Sequence, residues 1–546
     1  MTAATGARAR SAALGALAVL VVWQLGSISV LAHDAVPGPV AIVRQFAADG
    51  LGVYAAAAGH TLAAAGWGWL WGNLLAVAAA LLALAVPPLE RVLLQVGVVS
   101  YCLPIVAVGP LFAIVFDGST ARVVLAAMAV FFTTLIAATA GVRGVDRAWL
   151  DVVSAAGGGE LTALRKVRLR AALPSVVSGL QIAAPAALLG SIIGEYIGAD
   201  DGLGVMMINS QQGQQVARTW AVAVTGTVVA AVAYGLIGVL GRALLPWARE
   251  LNVGDVSAST GATGAAASSG TARVLRPVLT VLGTLVVVVG LWWAFLAVFA
   301  IDPFVGKTPV QVWQYLTGPD APRQQVLDQA GTTARDALVG LVGGAAVGVL
   351  VAVAFYLWPA VHRSLIGVAL AMRSIPLVAM TPVIVLVFGR GLLGVTVIAG
   401  IVTFFPTLVN VGTALGRSSR DATDVLLAAG GTRWDVLVKV QAPTALPALF
   451  VSLRTAAPLA ITGALLAEWL ATGLGLGYGM VQALTEADYL LLWSEVVVVT
   501  VLSAVLYLVI GLLERLVLVR FTSRPGRARP AGRAPRPLGR PEGVPA

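Results

Sequence analysis

The sequence predicts an all-α, polytopic membrane protein with twelve transmembrane helices, arranged as two parallel repeats of six helices. Three features support this prediction: the composition, the length of the apolar windows, and a residue pattern that recurs about 273 positions later. Of the 546 residues, 59% are hydrophobic and 11% are charged, and the mean hydropathy is +0.92. Soluble domains carry about 25% charged residues, so this composition indicates a chain that lies largely within a bilayer.

Apolar windows long enough to cross roughly 30 Å of hydrocarbon occur six times in each half of the chain. In the first half they fall near 11–32, 60–86, 92–116, 121–142, 174–198 and 219–246. In the second half they fall near 276–300, 332–358, 365–388, 393–415, 445–470 and 491–518. The first window could pass for a signal peptide, but its length suits a spanning helix and its cleavage signal is weak, so we expect an uncleaved helix.

The repeat is clearest in two polar stretches, SAAGGGELTALRKVRLRAALP at 154–174 and LAAGGTRWDVLVKVQAPTALP at 427–447, which match at 10 of 21 positions. Further matched positions are Pro104 with Pro376, Pro110 with Pro382, Phe131 with Phe404, Pro185 with Pro458, and Glu195 with Glu468. Six spans per copy is an even number, so both copies have the same orientation. The sequence therefore predicts parallel repeats related by an axis along the membrane normal.

The loop charges predict the orientation of the chain. The loops at 143–170 and 416–443 and the tail after residue 519 are rich in arginine and lysine, whereas Asp200, Asp201, Glu486 and Asp488 mark loops on the opposite side. Because basic loops remain in the cytoplasm, we expect both repeated loops and both termini there. The expected location is the plasma (inner) membrane.

Composition also divides the chain into four predicted segments. Residues 1–250 form a first transmembrane domain and 274–520 a second, joined by a Gly/Ser/Ala-rich flexible linker at 251–273 on the cytoplasmic side. The tail at 521–546 is rich in Pro, Arg and Gly and is predicted to be disordered. A linker of this composition suggests two subunits fused into one chain.

Several functions are disfavoured by the residue content. The net charge of +10 resides in loops and tail, as bilayer orientation demands, so nucleic-acid binding is not expected. Cys102 is the single cysteine, and the three histidines have no metal-ligand spacing, so we predict no metal site and no cofactor. Lys307 and Thr308 resemble the end of a phosphate-binding Walker A loop, but Ile301 stands at its required first glycine. The chain is therefore predicted to have no enzymatic activity of its own.

Each repeated loop has the features of a surface that a partner could grip. Two glycines permit a turn, apolar and basic residues follow, and a proline, Pro174 or Pro447, lies at the start of the next span. The residues concerned are Gly157, Gly158, Leu161, Leu164 and Lys166 in the first copy and Gly430, Gly431, Trp434, Leu437 and Lys439 in the second. The alternative is an interfacial helix that only anchors the loop in the membrane surface. The recurrence of the same pattern in both copies favours docking of a partner protein.

These loops resemble the cytoplasmic signature of ABC importer permeases, the binding-protein-dependent transport inner-membrane components. In the second copy Gly430 stands at the signature glycine, and Thr432-Arg433-Trp434 resembles the Ser-Arg-Trp that follows it. In the first copy Gly157 takes the glycine position. The opening Glu-Ala-Ala triplet of the family is replaced by triplets that begin with Asp151 and Asp424, so only the acidic residue is kept in kind.

The resemblance implies a fused pair of permease domains whose loops are coupling helices. Two copies imply two ATP-binding cassette ATPase subunits, one beneath each half, and an extracytoplasmic solute-binding protein on the opposite face. A narrower resemblance, carried by MRSIPLVAMTPVIVLVFG (372–389) and AEWLATGLGLGYGM (467–480), is to permeases of the nitrate, sulfonate and taurine group.

Ionisable groups within spans are costly and often mark a transport pathway. The candidates are Arg373 with its repeat equivalent Tyr101, and the equivalent pair Glu195 and Glu468. Arg373 could meet an anionic group bidentately or cap helix carbonyls. The two glutamates could tie loops together, meet the binding protein, or snorkel to the membrane surface.

The sequence thus predicts the transmembrane permease of an ATP-driven importer for a small solute, which could be an anion such as sulfonate, taurine or nitrate. An ion-gradient-driven secondary transporter also has twelve spans in two halves, but it predicts acidic residues at mid-membrane and leaves the repeated loops unexplained. A membrane scaffold without transport is a third reading, and it predicts no matched polar positions within the spans.

Overall fold

The computed structural model describes residues 17–28, 36–116, 118–247, 272–319, 322–362, 377–417 and 419–521, besides residues 15 and 365. Within these ranges the chain is helical and contains no β-strand. Most of the predicted linker, the predicted tail from residue 522, and the pathway candidate Arg373 lie outside the described residues.

Eleven α-helices are described in the first half, and one of them, α8, is a short piece of a longer element. They are α1 (Leu17–Ile28), α2 (Pro39–Asp49), α3 (Leu51–Ala85), α4 (Pro87–Cys102), α5 (Ile105–Val115), α6 (Gly118–Arg143), α7 (Arg147–Ala155), α8 (Glu160–Ala163), α9 (Leu169–Gly198), α10 (Leu203–Gln212) and α11 (Val216–Leu244). A π-helical segment, Leu164–Arg168, joins α8 to α9, so Glu160–Gly198 is one continuous helix.

The described part of the second half repeats this order. Its helices are α12 (Ala272–Val298), α13 (Pro309–Thr317), α14 (Arg323–Leu357), α15 (Leu377–Phe388), α16 (Leu392–Gly416), α17 (Arg420–Ala428), α18 (Arg433–Val436), α19 (Ala442–Ala467), α20 (Gly475–Thr485) and α21 (Tyr489–Phe521). The π-helical segments Leu437–Gln441 and Glu468–Thr472 join α18 to α19 and extend α19, which makes Arg433–Thr472 continuous.

The all-α membrane fold is confirmed. Among the described residues, eight helices are long and apolar enough to cross a membrane, and the bent pair α4 and α5 makes a ninth candidate. The predicted windows near 11–32 and 276–300 correspond to the shorter apolar helices Leu17–Ile28 and Leu282–Val298. The window at 365–388 is described chiefly as α15, which follows the undescribed stretch 366–376.

Pro104 explains the break within the third predicted span. The axes of α4 and α5 differ by 91° across Leu103 and Pro104. Proline lacks the N–H that would continue the hydrogen bonding of α4, and its ring keeps the preceding residue extended. Leu103 accordingly has φ −77° and ψ 108°. The span predicted at 92–116 is therefore two helices that meet at this bend.

Small residues allow the three central helices of each half to approach closely. In the first half α3, α6 and α9 pack together, as α14, α16 and α19 do in the second. A Cβ at Gly72 would lie 2.4 Å from the carbonyl oxygen of Ala127, and one at Gly344 would lie 2.2 Å from that of Gly400. Backbone contact of this kind drives helix association in lipid, where burial of apolar surface contributes little.

The two halves contact each other reciprocally. Helix α5 packs against α19, α20 and α21, while α15 packs against α9, α10 and α11. An aromatic cluster also crosses between the halves, with the ring centroids of Phe112 and Phe116 lying 5.7 and 6.1 Å from that of Phe295. The helices that follow the paired prolines thus lie where the two repeats meet.

The first helices belong to the repeat as well. Trp23 of α1 lies against Trp220 of α11, with ring centroids 5.3 Å apart, and Trp292 of α12 stacks on Trp493 of α21 at 5.1 Å. Trp220 and Trp493 are repeat equivalents. Each half therefore docks its first helix on its last helix through a tryptophan pair.

Candidate functional site

The two repeated loops have the same backbone construction. Asp146 caps α7 by accepting a hydrogen bond from the amide of Ala148, and Ser419 caps α17 by accepting one from Ala422. Each helix then ends in a turn whose glycine has a positive φ, +77° at Gly157 and +83° at Gly430. Since other residues rarely adopt this conformation, the turn explains why both copies carry glycine there.

The second glycine of each turn is required for a different reason. A Cβ at Gly158 would lie 2.6 Å from Val153 Cγ1, and one at Gly431 would lie 2.7 Å from the carbonyl oxygen of Leu426. The chain therefore folds back tightly on the preceding helix. This fixes the angle at which the next short helix, α8 or α18, leaves the turn.

The predicted apolar side chains of these loops divide into two groups. Leu161 and Trp434, at equivalent positions, are 63% and 60% exposed. Leu437 is buried and Leu164 is half-buried, so these two anchor the loop instead of protruding from it. Of the apolar residues predicted for each loop, Leu161 in the first and Trp434 in the second are the ones that protrude.

A second exposed apolar residue accompanies each protruding side chain. Val152 on α7 and its equivalent Val425 on α17 are 61% and 70% exposed. Sequence reasoning singled out neither of them, although both stand directly after the aspartates that open the signature. Asp151 and Asp424 are themselves exposed. Each loop thus presents equivalent apolar side chains, Val152 and Leu161 or Val425 and Trp434, together with an exposed acid.

The second loop is held by more side-chain contacts than the first. Thr432 and Asp435 form a reciprocal capping box at the start of α18, and Lys439 Nζ lies 2.8 Å from Asp435 Oδ1. In the first loop Gly159 and Thr162 occupy the capping positions, and no side chain caps α8. Lys166, Lys439 and Arg433 are exposed. The π-helical segment after each short helix lies at the same repeat position.

The paired glutamates are buried, so they do not snorkel to a membrane surface. Glu195 and Glu468 are 2% and 0% exposed. Glu195 Oε2 accepts a hydrogen bond from the amide of Gly204 at 2.7 Å, and Glu468 Oε2 accepts one from Gly477 at 2.8 Å. Each carboxylate therefore holds the beginning of the short helix that follows its own span.

Two threonines complete this arrangement, and sequence reasoning missed both. Thr333 Oγ1 donates to Glu468 Oε2 at 2.9 Å and accepts from the amide of Leu476 at 3.0 Å. Thr61 Oγ1 accepts from the amide of Leu203 at 2.9 Å in the first half. The threonines recur at an offset of 272 residues, which was the available signal. A side chain at Gly202 would collide with the carboxylate of Glu195, and one at Gly475 with that of Glu468.

Tyr101 lies at the contact between the halves. Its hydroxyl donates a hydrogen bond to the carbonyl oxygen of Thr455 in the second half, and its ring stacks on Phe132 with centroids 4.4 Å apart. Its predicted counterpart Arg373 is outside the described residues, so the pair is not brought together here. Among the described residues, no group of three or more His, Cys, Asp or Glu side chains could hold a metal ion.

Comparison with known families decides the class of the protein. The model of the binding-protein-dependent transport system inner membrane component matches twice, at residues 72–249 and 344–521, which together make up more than half of the chain. The chain belongs to this family. It contains two copies of the permease domain, and both matches include one repeated loop and one buried glutamate.

Individual relatives are permeases of about the size of one half. The riboflavin transport system permease protein of Chloroflexus aurantiacus is 38% identical over 29% of this chain and 59% of the relative. The formylaminopyrimidine transport permease protein of Halalkalibacterium halodurans is 25% identical over 45% of this chain and 96% of the relative. A putative aliphatic sulfonates transport permease protein of Bacillus subtilis is 29% identical over 42% and 84%.

These relatives confirm the predicted likeness to permeases of the sulfonate group, and they extend it to permeases named for vitamin-related compounds. No solved structure matches the chain. The protein is therefore an ABC transporter permease and a multi-pass membrane protein of two fused domains.

Proposed function

We propose that this chain forms the whole translocation pathway of an ABC importer. Two ATPase subunits bind its two repeated loops and drive its conformational change. The observation that carries the proposal is the recurrence of one loop, with the same glycine geometry and the same exposed apolar position, in both halves. An interfacial helix that only anchors the loop would also carry exposed apolar side chains, so the recurrence of the position, and not its exposure alone, favours docking.

The loop charges support a cytoplasmic location for both loops. Basic residues cluster around them, while acidic residues mark the loops near α10 and α20, so the positive-inside rule favours an inner-membrane protein with both termini in the cytoplasm. An extracytoplasmic solute-binding protein would then deliver the solute to the end of the bundle that carries α10 and α20. The domain limits 1–250 and 274–520, with a linker between them and a tail at 521–546, are part of this proposal.

The solute is proposed to be a small polar or anionic compound. The relatives are named for riboflavin, formylaminopyrimidine and aliphatic sulfonates, and these names are the basis for the choice. Arg373 and Tyr101 remain candidates for the pathway, since α5 and α15, which follow them closely, pack against the opposite half. Glu195 and Glu468 are instead proposed to fix the short helices at the entrance.

Uptake by proteoliposomes tests this proposal. Vesicles containing the permease with its ATPase, and the binding protein outside, are given labelled riboflavin, formylaminopyrimidine, an alkanesulfonate and taurine in turn. We expect uptake of one of these only with ATP inside the vesicle, and no effect of an ionophore. Uptake driven by an ion gradient without ATP would replace the proposal with the secondary transporter.

A further inference from the structure

A buried carboxylate of the second half has no partner in the described part of the chain. Glu495 lies six residues after the start of α21, about 9 Å along the helix at 1.5 Å per residue, and is fully buried. Neither carboxylate oxygen has a hydrogen-bond partner among the described residues. An isolated carboxylate within a membrane protein is costly, and such groups normally pair with a cation or with donors.

Gln329 of α14 and Gly479 of α20 adjoin this carboxylate. A Cβ built at Gly479 would lie 2.3 Å from Glu495 Oε1, 2.8 Å from Gln329 Nε2 and 3.0 Å from Gln329 Oε1, so the carboxylate and the whole amide group adjoin the same glycine. Gln329 Oε1 is also buried and has no hydrogen-bond partner among the described residues. An oxygen of Glu495 and an oxygen of Gln329, neither with a hydrogen-bond partner among the described residues, therefore adjoin Gly479 between α14, α20 and α21.

The first half shows that the fold does not need these polar groups. The repeat equivalents of Gln329, Gly479 and Glu495 are Ala57, Met206 and Val222. Val222 is 1% exposed and belongs to the hydrophobic core. The same helix contacts thus form around apolar side chains in one half and around a carboxylate and an amide in the other.

The charges around Glu495 do not neutralise it. Asp488 and Tyr315 are its electrostatic neighbours, and an acid and a phenol supply no positive charge. Three basic side chains at this end of the second half have other partners: Arg335 pairs with Asp336, Lys307 donates to the carbonyl of Pro303, and Arg323 donates to the carbonyls of Leu316, Thr317 and Gly318. A fourth, Arg390, is exposed in the loop after α15.

We propose that Glu495 and Gln329 bind a small monovalent inorganic cation between α14, α20 and α21. The carboxylate supplies the negative charge and two oxygens, and the amide supplies a third oxygen, which suits a hard cation. The ion would fasten α20, the short helix held at its other side by Glu468, to the last helix of the bundle. Because the site occurs in one half, it makes the two halves of the entrance unequal.

Sodium-dependent thermal stability of the full chain in lipid nanodiscs tests the site. Sodium chloride is exchanged for choline chloride at constant ionic strength, and the melting temperature is recorded. We expect the melting temperature to rise saturably with sodium, because a ligand that binds only the folded state stabilises it. Glu495→Gln is expected to abolish the rise, whereas Glu486→Gln, at an exposed acid of the same end, is expected to retain it.

The second variant is Glu495→Val, which places at this position the residue type of its repeat equivalent, Val222. It keeps the test valid if the glutamine variant does not fold. It is expected to melt independently of sodium. A parent protein whose melting temperature does not respond to sodium would overturn the proposal, as would a Glu495→Gln variant with an unchanged response. The measurement contains neither nucleotide nor ATPase, so its outcome is separate from that of the proposed function.

Discussion

At the scale of single residues, the position of a polar side chain could be predicted better than its role. The spacing of the repeat singled out Glu195 and Glu468, but burial and hydrogen bonding to Gly204 and Gly477 depend on how the chain returns after each span. Thr61 was not singled out, because a threonine within an apolar window looks like any helix residue. Only the folded structure shows which amide it meets.

Replacement of Thr333 by valine is expected to destabilise the permease by about 1–3 kcal/mol, the cost of leaving buried polar groups unpaired. The variant removes the donor to Glu468 and the acceptor for the amide of Leu476. Thermal unfolding of the purified protein measures the loss. Thr485→Val is the control, because that exposed hydroxyl bonds only to a carbonyl of its own helix. Equal melting temperatures for the two variants would exclude the proposed contact.

At the scale of elements, apolar windows located the spans but not their ends. Helix α3 begins at Leu51 and α14 at Arg323, each nine residues before its predicted window, because their first turns are too polar or too small to register as apolar. The continuous helix Glu160–Gly198 likewise includes the basic segment that hydropathy assigns to the loop. The short helices α10 and α20 were missed for the same reason. The π-helical segments have no signal in composition.

Trp434→Ala and Leu161→Ala are each expected to weaken the retention of an ATPase subunit during purification, and the double variant to retain least. The physical reason is the loss of exposed apolar surface, which contributes roughly 25 cal/mol per Å² when a partner covers it. The readout is the amount of ATPase that copurifies with tagged permease.

The matched control for these variants is Trp313→Ala. Trp313 is 69% exposed and lies on α13. That helix follows the Val305 loop, which is bonded to α21 through Trp493 at the end of the bundle away from the repeated loops. The control is expected to retain the ATPase fully. If Trp313→Ala loses as much ATPase as Trp434→Ala, the loops are not the specific contact.

At the scale of the whole molecule, the repeat predicted the parallel arrangement of two halves, and the structure adds how they meet. In the first half, Pro104 turns α5 by 91° from α4, and α5 then packs against the opposite half, as α15 does reciprocally. The aromatic cluster around Phe295 could not be predicted, because the repeat does not tell which helix of one half meets which helix of the other.

Two separately expressed halves, divided at residue 258 within the predicted linker, are expected to copurify. The contacts of α5 with α19, α20 and α21 and of α15 with α9, α10 and α11 supply the interface without the peptide connection. Phe295→Ala is expected to reduce the yield of the paired halves because it removes the centre of the aromatic cluster. Halves that purify separately would mean that the linker, not the interface, holds them together.

The central claim is that one fused chain provides two docking loops, each of which binds a separate ATPase subunit. Native mass spectrometry of the complex purified through a tag on the permease tests it directly. We predict one permease chain of 55.7 kDa together with two ATP-binding subunits. A permease that carries no ATPase, or only one ATPase for each fused chain, would contradict the account.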